Sequence, residues 1–439
     1  RGRRRRAAAA AAAAGGDDAV AEGFLSWAAA EGLEVNSKLG FAPDPATGRR
    51  VVCRSSVAEG EVLVRLPSAA AATVDLAPEA PPPPELSPLA GWWTKHSRAS
   101  LRLAAKLAFE RERLEPYLAM LPELEEIQAP WRWRDEELRF VSREVAELAR
   151  ARREALEAAS ADLEALDCWS SSPRELFLRA NHAVTSRAFS GRDQAFAAGP
   201  GSDVVSLAAA AGALLVAAGG VSQGLISLEA GALGAAVVAG ASAVATATVG
   251  SREVLSALPM VDQVNHASGP LPDLALASAS GCWELRAHRG FGAGEEVVFS
   301  YGAKDNDRLL LQHGFVEEDN PADAVALPVG EDLELSEQTR TSLEDLSVQR
   351  LRFERNGAAS ALAPEGDSFV RVDLSEAALA EAAAEVLRPA VRSAEAGELS
   401  EAKDAEVRGA VAPARRAELA LLWRRERRRL LAEAAGRWL

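Results

Sequence analysis

The sequence predicts an α+β protein with small strands at the front, helices in the middle and a mostly helical carboxyl-terminal part. Three observations predict it. Short apolar runs broken by turn formers fill residues 17–75; apolar residues three and four apart take over from Ser100 to Asp167; strand-like pieces return at Cys282 before a long helical remainder. With 439 residues, 48% of them apolar, the chain can bury two or three cores without covalent staples.

Taken in order, the chain opens with RGRRRR and eight alanines, an acid-free run that reads as the remnant of an organelle transit peptide or of a truncated gene model. Residues 1–19 are therefore expected to be a disordered leader. They favour a chloroplast address, with cytoplasm or nucleus as the alternatives. The runs VVCR and EVLVRLP, separated by turn formers such as PDPATG, predict small strands in an irregular sheet. PPPPELSP at 81–88 separates them from a helical region, because consecutive prolines sustain neither helix nor central strand.

In that region Leu101, Ala104, Ala105 and Ala108 predict one core face, and Leu138, Val141, Val145 and Leu148 a second. A third periodic stretch, Leu176 to Val184, leads into NHAVTSRAF. Residues 199–250 are almost only Ala, Gly, Val, Leu and Ser. By length Val204 to Val249 could hold a membrane span. Their Ala/Gly dominance, with no aromatic belt, favours a low-complexity insertion looped out of the fold. Beyond it CWELRAH and EEVVFSYG predict strands around the turn GFGAGE. From about Glu331 the chain reads as largely helical, ending in a helix with Leu419, Leu422, Trp423, Leu430 and Ala434 on one side and arginines on the other.

Charge and cysteine content exclude several classes. A net charge of -15 argues against a nucleic-acid surface, which needs clustered Lys and Arg. Cys53, Cys168 and Cys282 are far apart and form neither a disulfide framework nor a CxxC pair for zinc, so a reducing compartment fits and no metal is expected.

Four short segments carry the chemistry: SRAF at 186–189, LPMVDQVNH at 258–266, VVFSYG at 297–302 and HGFVEEDNP at 313–321. Singly each has a bland reading, such as a turn Asn-His, a strand-end Tyr-Gly or a surface Ser-Arg. Their order and combination resemble the SET-domain protein methyltransferases of the Rubisco large-subunit type. In that family an SRxF segment precedes D-x-x-NH, a GEEV-x-x-SYG segment and a GF pair. GFLSWAAAEG with GRRVVCRSSVAEGEVLVRLP, LAAKLAFERERLEPYLAMLPE with WRWRDEEL, and RRAELALLWRRERRRLL are also similar to the family, which extends the resemblance over roughly residues 20–439 outside the insertion.

The resemblance implies a SET domain over 20–318, with a helical insert at about 85–185 and the low-complexity insertion at about 199–250. A helical substrate-binding domain over 319–439 would follow. It implies S-adenosylmethionine as cofactor and a lysine-bearing protein as substrate, possessed by a monomer that uses neither nucleic acid nor membrane. Tyr301 would be the catalytic phenol. Thr47, Gly48, Arg49, Arg187, Asn265, His266 and Phe315 would hold the cofactor, with Arg187 toward its carboxylate and Phe315 on the adenine. Arg187, Asp262, Tyr301 and His313 would line the substrate side. The arginines of the last helix suggest an acidic partner surface.

The chain departs from the family in three places. Arg50 stands where a second glycine is usual; His313 replaces the tyrosine common before the GF pair; and no tyrosine lies between His266 and Tyr301. Methylation of lysine in Rubisco large subunit or another plastid protein is the first reading. Methylation of histidine by the same architecture, and a SET-fold binding module without turnover, stay open beside it.

Overall fold

Strand formation at the front follows from alternation interrupted in one place. In VLVRLP (Val62–Pro67) both Leu63 and Val64 are buried, and a break in register between Val62 and Val64 turns the two of them inward. In the computed structural model the described residues are 19–44, 48–169, 174–193, 252–268, 282–330, 333–365, 368–397, 399–411 and 413–439. The expected leader, apart from residue 19, and the low-complexity insertion lie outside them. Among the described residues no helix is long and apolar enough to cross a membrane.

Two compact units account for the chain. The first comprises residues up to 121, 159–265 and 274–297. After a helix over 19–30 come β1 (Glu34–Val35), β2 (Leu39–Asp44), β3 (Gly48–Cys53), β4 (Val62–Pro67) and β5 (Ala72–Asp75), and later β6 (Phe189–Asp193), β7 (Arg252–Ala257), β8 (Asn265–His266, its second residue in the other unit) and β9 (Cys282–Arg286). They form small antiparallel sheets in the orders β1-β4-β9, β2-β3 and β5-β7-β6. The strands expected from VVCR and EVLVRLP are β3 and β4.

The helix Ala99–Phe109 is buried almost all round, which its run of Leu and Ala permits. Its Arg102 is buried with no carboxylate partner among the described residues. The guanidinium instead donates to the carbonyls of Ala77, Pro78, Trp93 and His96, tying the proline-rich link to the helix.

The second unit comprises 122–158, 266–273 and 298–439. Here β10 (Val298–Phe299) runs beside the chain at His266, with the Ala267 N–H bonded to the Phe299 carbonyl. A four-stranded antiparallel sheet follows, made of β11 (Ala324–Pro328), β12 (Arg350–Glu354), β13 (Ala359–Glu365) and β14 (Ser368–Val372). The chain beyond Glu331 is mostly helical, as expected, and among the described residues it also contains β12, β13 and β14, which the sequence reading did not place. In RLRFE, Leu351 and Phe353 face a core while the charged residues alternate outward, a five-residue signal too short to stand out among helical neighbours. Helices Glu376–Ala396, Glu401–Ala410 and Ala414–Trp438 then complete the unit. Ser336 and Ser375 cap the helices that follow them by accepting from the N–H groups of Thr339 and Ala378.

Leu148 corrects another expectation. It is exposed, whereas Ala149 is fully buried. Leu138 ends a separate short helix, Asp135–Leu138, and the long helix starts only at Arg143, so the four residues do not share one helical register. The arginines of the last helix are not a free basic face either. Arg416 pairs with Glu137, Arg424 and Arg428 with Asp404, Arg425 with Glu318, Arg427 with Asp307 and Arg429 with Asp319. Arg424 is wholly buried.

Candidate functional site

The Tyr301 segment is built from the second unit upward. Asp305 caps a short helix, Asn306–Arg308, which passes into a single π turn over Leu309–His313 and stops at Gly314. Gly314 sits at φ +78°, and a Cβ there would lie 2.8 Å from the Ala129 nitrogen. Only glycine meets both conditions, which is the physical content of the GF pair. Phe315 follows immediately.

His266, Tyr301, His313 and Phe315 meet as a ring cluster. His313 stacks on Tyr301 with centroids 4.9 Å apart and planes 27° from parallel; His266 lies 4.9 Å from Tyr301 on a tilted ring, and Phe315 is 6.1 Å from His266 and 5.8 Å from His313. The Tyr301 N–H donates to His266 Nδ1 at 3.0 Å. Because that nitrogen accepts, a neutral His266 carries its proton on Nε2, beside Ser268 Oγ at 3.2 Å and Glu317 Oε2 at 3.6 Å. Burial acts to raise the Glu317 carboxyl, yet the hydrogen bonds from His266 and Ser268 prevail and hold it below the usual carboxylate range.

A buried carboxamide network, with no counterpart among the expected site residues, holds this cluster in place. Asn306 Oδ1 accepts the Glu317 N–H, its Nδ2 donates to the Glu317 carbonyl, and its N–H and Nδ2 both reach Asp323. Asn320 Nδ2 donates to the Lys304 carbonyl. Asp323 and Asn320 lie in or beside the segment HGFVEEDNP, where Asp and Asn after a glycine read as turn formers rather than as a brace.

In the first unit, Asn265 is braced through its side chain, whose Nδ2 donates to Glu296 Oε1 at 2.8 Å and to the Arg49 carbonyl at 3.3 Å. Arg49 Nη1 points to Met120 Sδ. Gly48 begins β3 at φ +83°, and nothing among the described residues stands within 4 Å of the place a Cβ would take. Thr47 lies outside the described residues. Arg50, at the position of the family's second glycine, is an ordinary ladder residue opposite Ala42, so no glycine conformation is required of it. Its Nε is buried with no partner among the described residues.

Arg187 closes the helix Arg174–Arg187, where a cation complements the carbonyl end. Its Nη1 makes long bonds to the Asp262 carbonyl (3.4 Å) and Gln263 Oε1 (3.3 Å). Asp262 is buried. Its Oδ2 accepts from the Tyr117 hydroxyl at 2.6 Å, and its Oδ1 from Gln263 Nε2 at 3.0 Å. Burial raises the Asp262 carboxyl, opposed by Arg187, Tyr117 and Gln263; burial and the facing carboxylate push the Tyr117 phenol well up. Tyr117 is a site neighbour that sequence reasoning left in the helical part. The one available signal was that it is the chain's only tyrosine besides Tyr301.

No protein-family model matches the chain. A stretch of 75 residues is 36% identical to SET domain-containing protein 4 of Mus musculus, and one of 81 residues is 32% identical to the actin-histidine N-methyltransferase of Canis lupus familiaris. These stretches are 17% and 18% of this chain, and they span only 17% and 14% of the respective relatives. Among solved structures, the SET domain of LSMT bound to lysine and AdoHcy superposes with a TM-score of 0.57 at 17% identity, covering 95% of this chain and 90% of that one. Rubisco LSMT bound to AdoMet gives 0.56 at 15% identity over 95% and 91%. The chain has the SET-domain fold of these structures.

Proposed function

We propose that the protein is an S-adenosylmethionine-dependent protein methyltransferase with Tyr301 as its catalytic phenol and a protein lysine as its target. The observation that carries this reading is the anchoring of Tyr301 on His266, which joins the SYG segment to the NH pair while His313 and Phe315 of the GF segment pack on the same rings. Solved structures of the same fold, named as bound to AdoMet, AdoHcy and lysine, support it.

The residues fit such a cofactor. Among the described residues nothing fills the place of a Gly48 Cβ, and Arg187 supplies a guanidinium, the group that grips a carboxylate through parallel hydrogen bonds. In this reading Thr47, Gly48, Arg49, Arg187, Asn265, His266 and Phe315 hold the cofactor, and Asp262 supports the substrate side through Tyr117. When bound, S-adenosylmethionine supplies a methyl group already activated on sulfur. What remains for the protein is alignment, exclusion of water and loss of a proton from the target amine. Tyr301 Oη orients the incoming nitrogen, and the surrounding rings keep the nitrogen's neighbourhood dry. The helices beyond 319 recruit the protein substrate, of which Rubisco large subunit or another plastid protein is the first candidate.

Transfer to histidine is the second reading. It is favoured by His313 in place of a tyrosine on the Tyr301 ring and by the short likeness to actin-histidine N-methyltransferase. One experiment tests both: incubation of a cell extract with the protein and methyl-labelled S-adenosylmethionine, followed by mass spectrometry of the labelled residue. Label on lysine supports the first reading and label on histidine the second. No label, together with no heat on titration of S-adenosylmethionine, overturns both in favour of a binding module.

A further inference from the structure

Lys304 is the one lysine whose ammonium meets the ring cluster in the hydrogen bonds among the described residues. Its Nζ lies 3.0 Å from His313 Nε2 and 2.9 Å from Gln312 Oε1, and its main-chain carbonyl is fixed by Asn320 Nδ2 at 2.9 Å. Asn320 is fully buried, so the backbone at 304 is held independently of the side chain.

An ammonium can only donate, so His313 Nε2 must accept. A ring that accepts at Nε2 carries its proton on Nδ1, and a second proton would place two cations at hydrogen-bond distance. We propose that Lys304 is a positioning residue of the Tyr301 site, fixing His313 as a neutral imidazole protonated at Nδ1 and so setting the ring on which the phenol stacks. The catalytic consequence rests on the methyl-transfer reading; the tautomer does not.

Other charged and titratable groups surround this contact. Arg308, between Lys304 and His313 in the chain, is after burial the second cause that depresses the Lys304 ammonium below its ordinary value; His266 packs on the Tyr301 ring and lies 3.6 Å from Glu317. A neutral His313 matters because the ring stacked at 4.9 Å from Tyr301 borders the place where the target nitrogen must arrive uncharged. An imidazolium there would oppose both the nitrogen's approach and a positively charged methyl donor. Lys304 thus holds the positive charge one hydrogen bond further from the phenol.

The test is nitrogen NMR of the full chain with labelled histidine, the His313 signals being assigned by their loss in His313→Gln. The native protein is expected to show Nδ1 protonated and Nε2 unprotonated at neutral pH. Lys304→Met should abolish that preference, and Lys304→Arg, which keeps a cationic donor, should restore it. In parallel, Lys304→Met should lower kcat about tenfold or more while S-adenosylhomocysteine affinity stays within about twofold, with Lys304→Arg in between. A His313 tautomer that is Nε2–H in the native protein, or that is unchanged in Lys304→Met, overturns the proposal. A native protein that transfers no methyl group, yet whose His313 tautomer follows Lys304, supports the positioning role and sinks the methyl-transfer reading instead.

Discussion

The main-chain N–H of Tyr301 and the imidazole of His266 share a 3.0 Å hydrogen bond, with Nδ1 as the acceptor. That bond fixes the His266 tautomer, directs its other nitrogen toward Ser268 and Glu317, and leaves the Tyr301 side chain held between rings rather than by its own backbone strand alone.

His266→Phe would keep a ring in the cluster but leave the Tyr301 amide without its acceptor. A loss of about 1–3 kcal/mol of stability is expected, together with lost activity, measured by urea unfolding and methyl transfer on the same preparation. Unchanged stability would mean that water or another group replaces the acceptor.

Tyr301→Phe removes one hydroxyl and no packing. Turnover is expected to fall by about a hundredfold or more, while calorimetric affinity for S-adenosylhomocysteine stays near native. An undiminished rate would show that the phenol is not the group acting on the target.

Gly314→Ala should cost about 3 kcal/mol or more. The residue pays for a left-handed backbone, and its new methyl group meets the Ala129 nitrogen at 2.8 Å. Equilibrium unfolding of the two proteins checks this. A cost under about 1 kcal/mol would mean that the Gln128–Ala129 backbone gives way easily.

Asp262 sets a pH dependence whose sign follows from its surroundings. Burial raises its carboxyl above the ordinary 3.8 against the pull of Arg187, Tyr117 and Gln263, so the folded chain holds that proton more tightly than the unfolded chain. Stability from this group is full below the ordinary value and is lost as pH rises through the raised one. Asp262→Asn has nothing to titrate. The stability gap between native protein and Asp262→Asn should therefore be widest below about pH 4 and narrow toward neutrality. Melting temperatures measured across that range decide the matter, and a gap that widens with pH would contradict it.

Arg424→Ala is expected to lose about 3 kcal/mol, because it removes a buried guanidinium, leaves the carbonyls of Phe140 and Ser400 without their donor and leaves Asp404 to Arg428 alone. Arg425→Ala and Arg429→Ala, half exposed and paired at the surface, should each stay within about 1 kcal/mol. Thermal unfolding of the three variants distinguishes a structural arginine from surface ones.

The sequence by itself determined the fold class, the strands at VVCR and EVLVRLP, the buried face of Leu101, Ala104, Ala105 and Ala108, and which segments resemble the motifs of the SET fold. Each of these is written locally, in alternation, in helical spacing or in a contiguous motif. Only the tertiary structure decided that Leu148 is exposed, that β12 to β14 interrupt the helical part, and that Arg424 is spent on Asp404. It also decided that Tyr117 faces Asp262 and that Lys304 reaches His313. Those facts depend on which distant residue arrives opposite a given side chain, and local periodicity carries no information about a partner brought there by the rest of the chain.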